Sequence, residues 1–277
     1  MKMIRVFGRD LKLGTIKKFY NYVLLFVIAG MICQGTYTVY IKHFSDNMIA
    51  GNGTWFDYLM SVNPGMKVFS IVEDKEFNVP IYWFTMQIMM HYMIAYYPEN
   101  DFRLYGKTII PKMGSAGKWW ISKCLWCILS VLISYGLIIV STLLFANIHN
   151  AKIKPEVTNR FLSQLHGAAV DYLSSADIIL IVIIVPMMTT ISLCLLELLL
   201  SFIISPVISY IMICAMYVLS AYYHTWWLTP GFTMWKRSSY VNFQKGYTPK
   251  TGILIAIYLS MACIIGGKLY FDRKDVL

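Results

Sequence analysis

Charge is what this sequence has least of. Only 14% of its 277 residues are Asp, Glu, Lys or Arg, against about 25% in an ordinary soluble domain. With 58% hydrophobic residues and a mean hydropathy of +0.58, the shortage argues against a water-soluble globule, because too little polar surface is left to cover the apolar part. Catalytic signatures are missing too. There is no H-E-x-x-H, no G-x-S-x-G and no His and carboxylate set within one apolar run, which excludes the hydrolases those patterns mark. Gly106-Lys107-Thr108 resembles the end of a phosphate-binding loop. The position where that loop needs its first Gly is Asp101, and no strand precedes it, so the chain is not expected to hydrolyse nucleotide itself. No filter sequence or repeated charged ring marks an ion channel. No strong internal repeat marks an inverted-repeat carrier. The six cysteines, Cys33, Cys124, Cys127, Cys194, Cys214 and Cys263, all fall in or beside apolar runs. They read as packing residues rather than a disulfide framework, and the C-x-x-C of Cys124 and Cys127 lacks the soluble context of a redox motif.

What is present is a series of long apolar runs. A bilayer core needs about 20 apolar residues per helical crossing. Runs near 20–41, 80–97, 121–146 and 251–267 each supply one. The stretch 177–223 is too long for one crossing and is expected to break between Glu197 and Pro206, giving spans near 177–198 and 202–223. The expected fold is therefore an all-α, polytopic membrane domain of six transmembrane helices. The apolar run at Tyr20 is too long for a signal peptide and has no small-residue cleavage site after it. Before it, Met3, Ile4, Phe7 and Leu11 share one helical face, and Lys2, Arg5, Arg9 and Lys12 the opposite one, the pattern of an interfacial amphipathic helix.

Six spans put both ends on one side, and basic residues select the cytoplasm. With the N-terminus inside, the short inner segments carry Lys2, Arg5, Arg9, Lys12, Lys17 and Lys18, then Arg103, Lys107, Lys112, Lys118 and Lys123, then Lys268, Arg273 and Lys274. The longer outer segments, 42–79, 147–176 and 224–250, hold half of the 14 acids, Glu73, Asp74 and Glu76 among them. The net charge of +10 then reads as basic loops against anionic lipid, not as nucleic-acid binding. Val157, Phe161, Leu165, Ala168, Ala169 and Tyr172 recur at helical spacing, as in a short helix on the outer face. Trp226, Trp227, Phe232 and Trp235 are expected in an aromatic belt. Asn52-Gly53-Thr54 matches a glycosylation acceptor, a tripeptide frequent by chance.

Two ionisable residues lie inside apolar runs. His91 sits mid-span, one turn after Gln87, and Glu197 lies near the end of the fourth span. Such groups are costly in a membrane, and they read either as functional or, for His91, as a helix-to-helix hydrogen bond. Glu197 is expected near the inner interface, within reach of water or a basic partner.

The layout resembles the permease subunit of type-2 ABC exporters over essentially the whole chain. The likeness rests on three stretches: the amphipathic Met1–Leu13, the segment ENDFRLYGKTIIPKMGSAGKWWISK (99–123), and the tail GGKLYFDRKDVL. Within the second, Glu99, Gly106, Thr108, Ile109, Ile110, Pro111, Lys118 and Lys123 fit the family pattern loosely, while Lys107 interrupts its Gly-Thr pair. The resemblance implies an elbow helix over 1–19, a cytoplasmic coupling loop over 99–120, and a separate ATP-binding cassette that uses ATP and Mg, with no cofactor held by this chain. It also implies a second permease subunit, identical or related. Contacts to the ATPase would come from Arg5, Arg9, Phe102, Arg103, Leu104, Tyr105, Ile109 and Ile110. Gln87, His91, Glu197, Ser205, Pro206 and Ser209 would line a pathway. The implied cargo is an amphipathic, bacteriocin-like peptide or a lipophilic compound crossing a bacterial cell membrane. A peptide-sensing or resistance module, or an ion- or proton-coupled carrier, stands as the alternative.

Overall fold

The computed structural model describes residues 2–44, 52–70, 76–158, 165–167 and 172–273. Among these the chain is all helix and turn, with only two isolated β-bridges. Helix α1 is Lys2–Asp10. A π-turn, Leu11–Ile16, joins it to α2, Phe19–Phe44. Then follow α3 (Trp55–Val62), α4 (Ile81–Ala95), α5 (Tyr97–Met113) and α6 (Ala116–Ile148). Helix α7 runs Ser175–Ile203 with a π-turn at Leu180–Ile184, α8 is Pro206–Tyr222, and α9 is Pro249–Arg273.

Four of these, α2, α6, α7 and α9, are long and apolar enough to cross a membrane. Two others are shorter: α4, which carries Gln87 and His91, has 15 residues, and α8, comparably apolar to the long four, has 17. At 1.5 Å per residue they reach about 22 and 26 Å, against a hydrocarbon core of about 30 Å. The segment expected as a loop over 99–120 is mostly helix. Pro98 sits in the first turn of α5, an Arg103–Glu99 pair at 2.6 Å spans its next turn, and Gly114 closes it.

The bundle is built around α7. Its apolar window is 67% buried, against 22–44% for the other three long helices, and it packs on α4, α6, α8 and α9. The π-turn falls just before Pro186. Proline has no N–H for the preceding turn and its ring crowds it, and a wider turn removes both conflicts. The hairpin between α7 and α8 is confined to Ile204 and Ser205. Ser205 is extended and its hydroxyl accepts from the Ile208 N–H, while Pro206 occupies the first turn, where its missing donor costs nothing. Glu197 therefore lies buried within α7, before the break.

At one end of the bundle α1 packs against α5 and α6. Met3, Val6, Phe7, Leu11 and Leu13 touch the core, but Ile4 is 70% exposed. The buried face is rotated from the purely apolar stripe so that Asp10 lies in it, fully buried. Gly14 makes this approach possible, since a Cβ there would meet the Trp126 ring at 2.7 Å. Phe102, Trp119, Trp120, Phe202 and Phe271 form an aromatic cluster behind it.

The opposite end is closed by α3 and the segment after α8. The Thr54–Asp57 capping box starts α3. The Asn52 amide donates to the His149 carbonyl at 2.6 Å and Thr54 Oγ1 donates to the Glu156 carbonyl, so the Asn-Gly-Thr tripeptide is part of a folded corner. The expected aromatic belt divides. Trp226 and Trp227 are exposed, whereas Phe232 and Trp235 are buried, the Trp235 indole donating to the Met60 carbonyl. The Arg237 guanidinium, also buried, donates to the carbonyls of Ser220, Ala221, Tyr223, Met66 and Lys67. It closes the C-terminus of α8, where unpaired carbonyls and the negative dipole end favour a cation. The helix expected over 155–173 and the acids Glu73 and Asp74 lie largely or wholly outside the described residues.

Candidate functional site

Two polar constellations interrupt the apolar bundle. The first lies at its centre. Helix α4 contributes Gln87 and His91, one turn apart, and α7 contributes Thr190, Cys194 and Glu197, spaced so that they share a face. Tyr217 of α8 and Tyr135 of α6 complete it. All seven are buried. His91 Nδ1 stands 2.6 Å from Glu197 Oε2 and 3.6 Å from Cys194 Sγ. His91 Nε2 is 3.2 Å from the Tyr217 hydroxyl, which donates to Gln87 Oε1 at 3.2 Å. Thr190 Oγ1 lies 2.9 Å from the same Gln87 oxygen and 3.1 Å from the Tyr135 hydroxyl. Two groups are left over: Glu197 Oε1 and Gln87 Nε2 have no hydrogen-bond partner. A buried orphan of this kind costs about 1–3 kcal/mol, more when charged, so the cluster is not optimised for stability alone.

The Tyr217 hydroxyl reaches both Gln87 Oε1 and His91 Nε2, and His91 Nδ1 reaches both Glu197 Oε2 and Cys194 Sγ. The imidazole thus stands between a carboxylate and a phenol, and either ring nitrogen can carry the proton.

The second constellation lies at the α1 end. Lys123 Nζ, buried within α6, donates to Asp10 at 2.5 Å and to Asp101 at 2.6 Å. Asp101 also pairs with Arg9. Asp10 accepts from the Ser122 and Tyr97 hydroxyls, each at 2.9 Å. Two cations and two anions balance, which makes their burial tolerable. Burial, with Asp10 and Asp101 beside it, pushes the Tyr97 hydroxyl well above its ordinary pKa, so Tyr97 stays a donor. The network joins α1, α5 and α6 in one piece. Between α1 and α5 it leaves a cleft of about 410 Å³ lined by Arg5, Val6, Ile109, Lys112 and Met113.

The residues expected at a pathway divide. Gln87, His91 and Glu197 meet in the central cluster. Ser205 and Pro206 build the α7–α8 turn, and the Ser209 hydroxyl turns back to the Pro206 carbonyl at 3.0 Å. The residues expected to contact an ATPase divide as well. Arg5, Arg103, Leu104 and Tyr105 are exposed, Ile109 lines the cleft, and Arg9 is held by Asp101 with its guanidinium 5.0 Å from the centre of the Tyr105 ring. Phe102 and Ile110 turn inward, Phe102 into the aromatic cluster.

Sequence reasoning missed Cys194, Thr190, Tyr135 and Tyr217, and the whole Asp10–Lys123–Asp101 network. A signal for the network existed: Asp10 is the only acid among the basics before the first apolar run. No family model, curated protein or solved structure matches this chain.

Proposed function

We propose that this chain is the membrane-spanning permease subunit of an ATP-driven exporter, worked from its α1–α5 face by a separate ATP-binding cassette. One observation carries the reading. An amphipathic N-terminal helix and the helix following the second apolar segment are bound to the third through buried charges, with a basic-rimmed apolar cleft between them. Such a joint transmits force, because moving α5 drags α1 and α6 with it. The exposed Arg5, Arg103, Leu104 and Tyr105 then offer cations and apolar knobs to an acidic, hydrophobic partner surface.

In this reading α2, α4, α6, α7, α8 and α9 are six spans and both ends are cytoplasmic. The short α4 and α8 are accommodated by local thinning of the bilayer. A second permease, identical or related, completes the pathway, and ATP and Mg belong to the partner ATPase. The cargo is an amphipathic peptide or lipophilic compound, a class taken from the family resemblance.

The central His91–Glu197 pair favours one competing reading, a proton-coupled carrier, since such pairs mark proton relays. Purification in mild detergent followed by flux in proteoliposomes separates the two. The exporter reading expects a co-purifying ATP-binding subunit and ATP-dependent, vanadate-sensitive flux. Transport driven by a pH gradient with no such subunit overturns it.

A further inference from the structure

We propose that the central cluster is a transition-metal site in which His91 Nδ1, Cys194 Sγ and Glu197 coordinate one divalent ion of zinc type. The three donor atoms lie within 4.8 Å of one another, all on buried side chains. Imidazole, thiolate and carboxylate together suit borderline metals such as Zn²⁺ rather than Mg²⁺ or Ca²⁺. Bond lengths of about 2.0–2.1 Å to nitrogen and 2.3 Å to sulfur at tetrahedral angles place those atoms roughly 3.5 Å apart. His91 Nδ1 and Cys194 Sγ stand 3.6 Å apart. The carboxylate must open from its 2.6 Å hydrogen bond to about 3.3 Å, or turn its unpartnered Oε1 inward.

The surroundings match those of a metal ligand. A ligating imidazole donates its other N–H to a fixed acceptor, which sets the tautomer. Here the Tyr217 hydroxyl, 3.2 Å from His91 Nε2 and also within reach of Gln87 Oε1, is placed to be that acceptor. Charge balances as well. On binding, His91 presents an unprotonated Nδ1, Glu197 is ionised and the thiol proton of Cys194 leaves. A divalent cation with one carboxylate and one thiolate is then neutral, the condition a low-dielectric interior demands. Three protein ligands leave a fourth position open, as in exchangeable rather than structural sites. None of this depends on the exporter reading.

The test uses the full chain in detergent with Co²⁺ as a spectroscopic probe and Zn²⁺ as competitor. One equivalent of Co²⁺ is expected to give a thiolate-to-cobalt charge-transfer band that Zn²⁺ erases, with release of at least about one proton per ion. Cys194→Ser should abolish the band. Tyr217→Phe should keep it while weakening affinity about 10-fold. X-ray absorption on the unmodified, Co²⁺-loaded protein supplies a readout that needs no variant: one sulfur near ~2.3 Å among nitrogen and oxygen neighbours. Absence of sulfur from that shell overturns the proposal. So does a band that survives Cys194→Ser and disappears with Cys127→Ser.

Discussion

Lys123 has two carboxylates in its first coordination sphere and almost no water, so its loss is asymmetric. Lys123→Met leaves Asp10 and Asp101 buried with only Arg9 to neutralise them. A cost of about 3–5 kcal/mol is expected, read as a lower thermal midpoint in detergent and as protease access to α1. Adding Asp10→Asn and Asp101→Asn should recover much of it, because the penalty is the uncompensated charge and not the missing attraction. Asp57 gives a pH signature at the other end. Burial raises its carboxyl from 3.8 to about 6, against the pull of the N–H groups of Thr158 and Thr54. Between those values the folded protein holds a proton that the unfolded chain has released, so stability falls as pH rises through the window. Asp57→Asn should flatten that part of a thermal-midpoint profile. None of these couplings is printed in local sequence. His91 and Glu197 were legible as costly intramembrane groups. That they answer each other was not, because it depends on the relative rotation of α4 and α7.

Elements were legible where one physical rule dominates. The four long apolar helices follow from length and composition, while the α7–α8 turn, expected somewhere between Glu197 and Pro206, lies at Ile204 and Ser205, later than the gap between the expected spans 177–198 and 202–223. Periodicity failed where an element meets protein on more than one side. Helix α1 buries Asp10 and exposes Ile4, and the aromatic segment after α8 gives two of its four large rings to the core. Glycines in the long helices carried no clear message in sequence, yet Gly267 on α9 is a contact point. A Cβ there would stand 2.2 Å from the Trp120 ring, which is itself fully buried. Gly267→Ala should therefore push α9 off α6 at a cost of about 1–3 kcal/mol. A Gly266→Ala control, where a Cβ meets nothing within 4 Å, should be close to neutral or slightly stabilising. Thermal midpoints of the pair decide it.

For the molecule as a whole, the two constellations divide the work. The Asp10–Lys123–Asp101 network makes a handle of α1, α5 and α6 at one end, and the central cluster gathers buried polar groups from α4, α6, α7 and α8. If the handle is where a cassette pushes, a charge placed on its exposed apolar knob should break the contact without unfolding anything. Leu104 is 73% exposed, so Leu104→Asp should insert normally yet lose about 10-fold in ATP-dependent flux, an effect of the size of one interface anchor. Flux unchanged beside normal expression would place the docking surface elsewhere. The all-helical class and the long apolar helices were thus readable from composition and apolar runs, while the central cluster was readable only as separate residues.

Arg237 sets a limit on how such a machine can move. Its guanidinium gathers carbonyls from the end of α8 and from residues 66 and 67, segments far apart in the chain. Drawing them apart would strand several acceptors and a buried charge at once. That end of the bundle is therefore a single casting in which α8, the turn at Trp235–Arg237 and the chain beyond α3 travel together. Any rocking of α8 has its pivot at Ser205 and Pro206, where the covalent link to α7 is shortest.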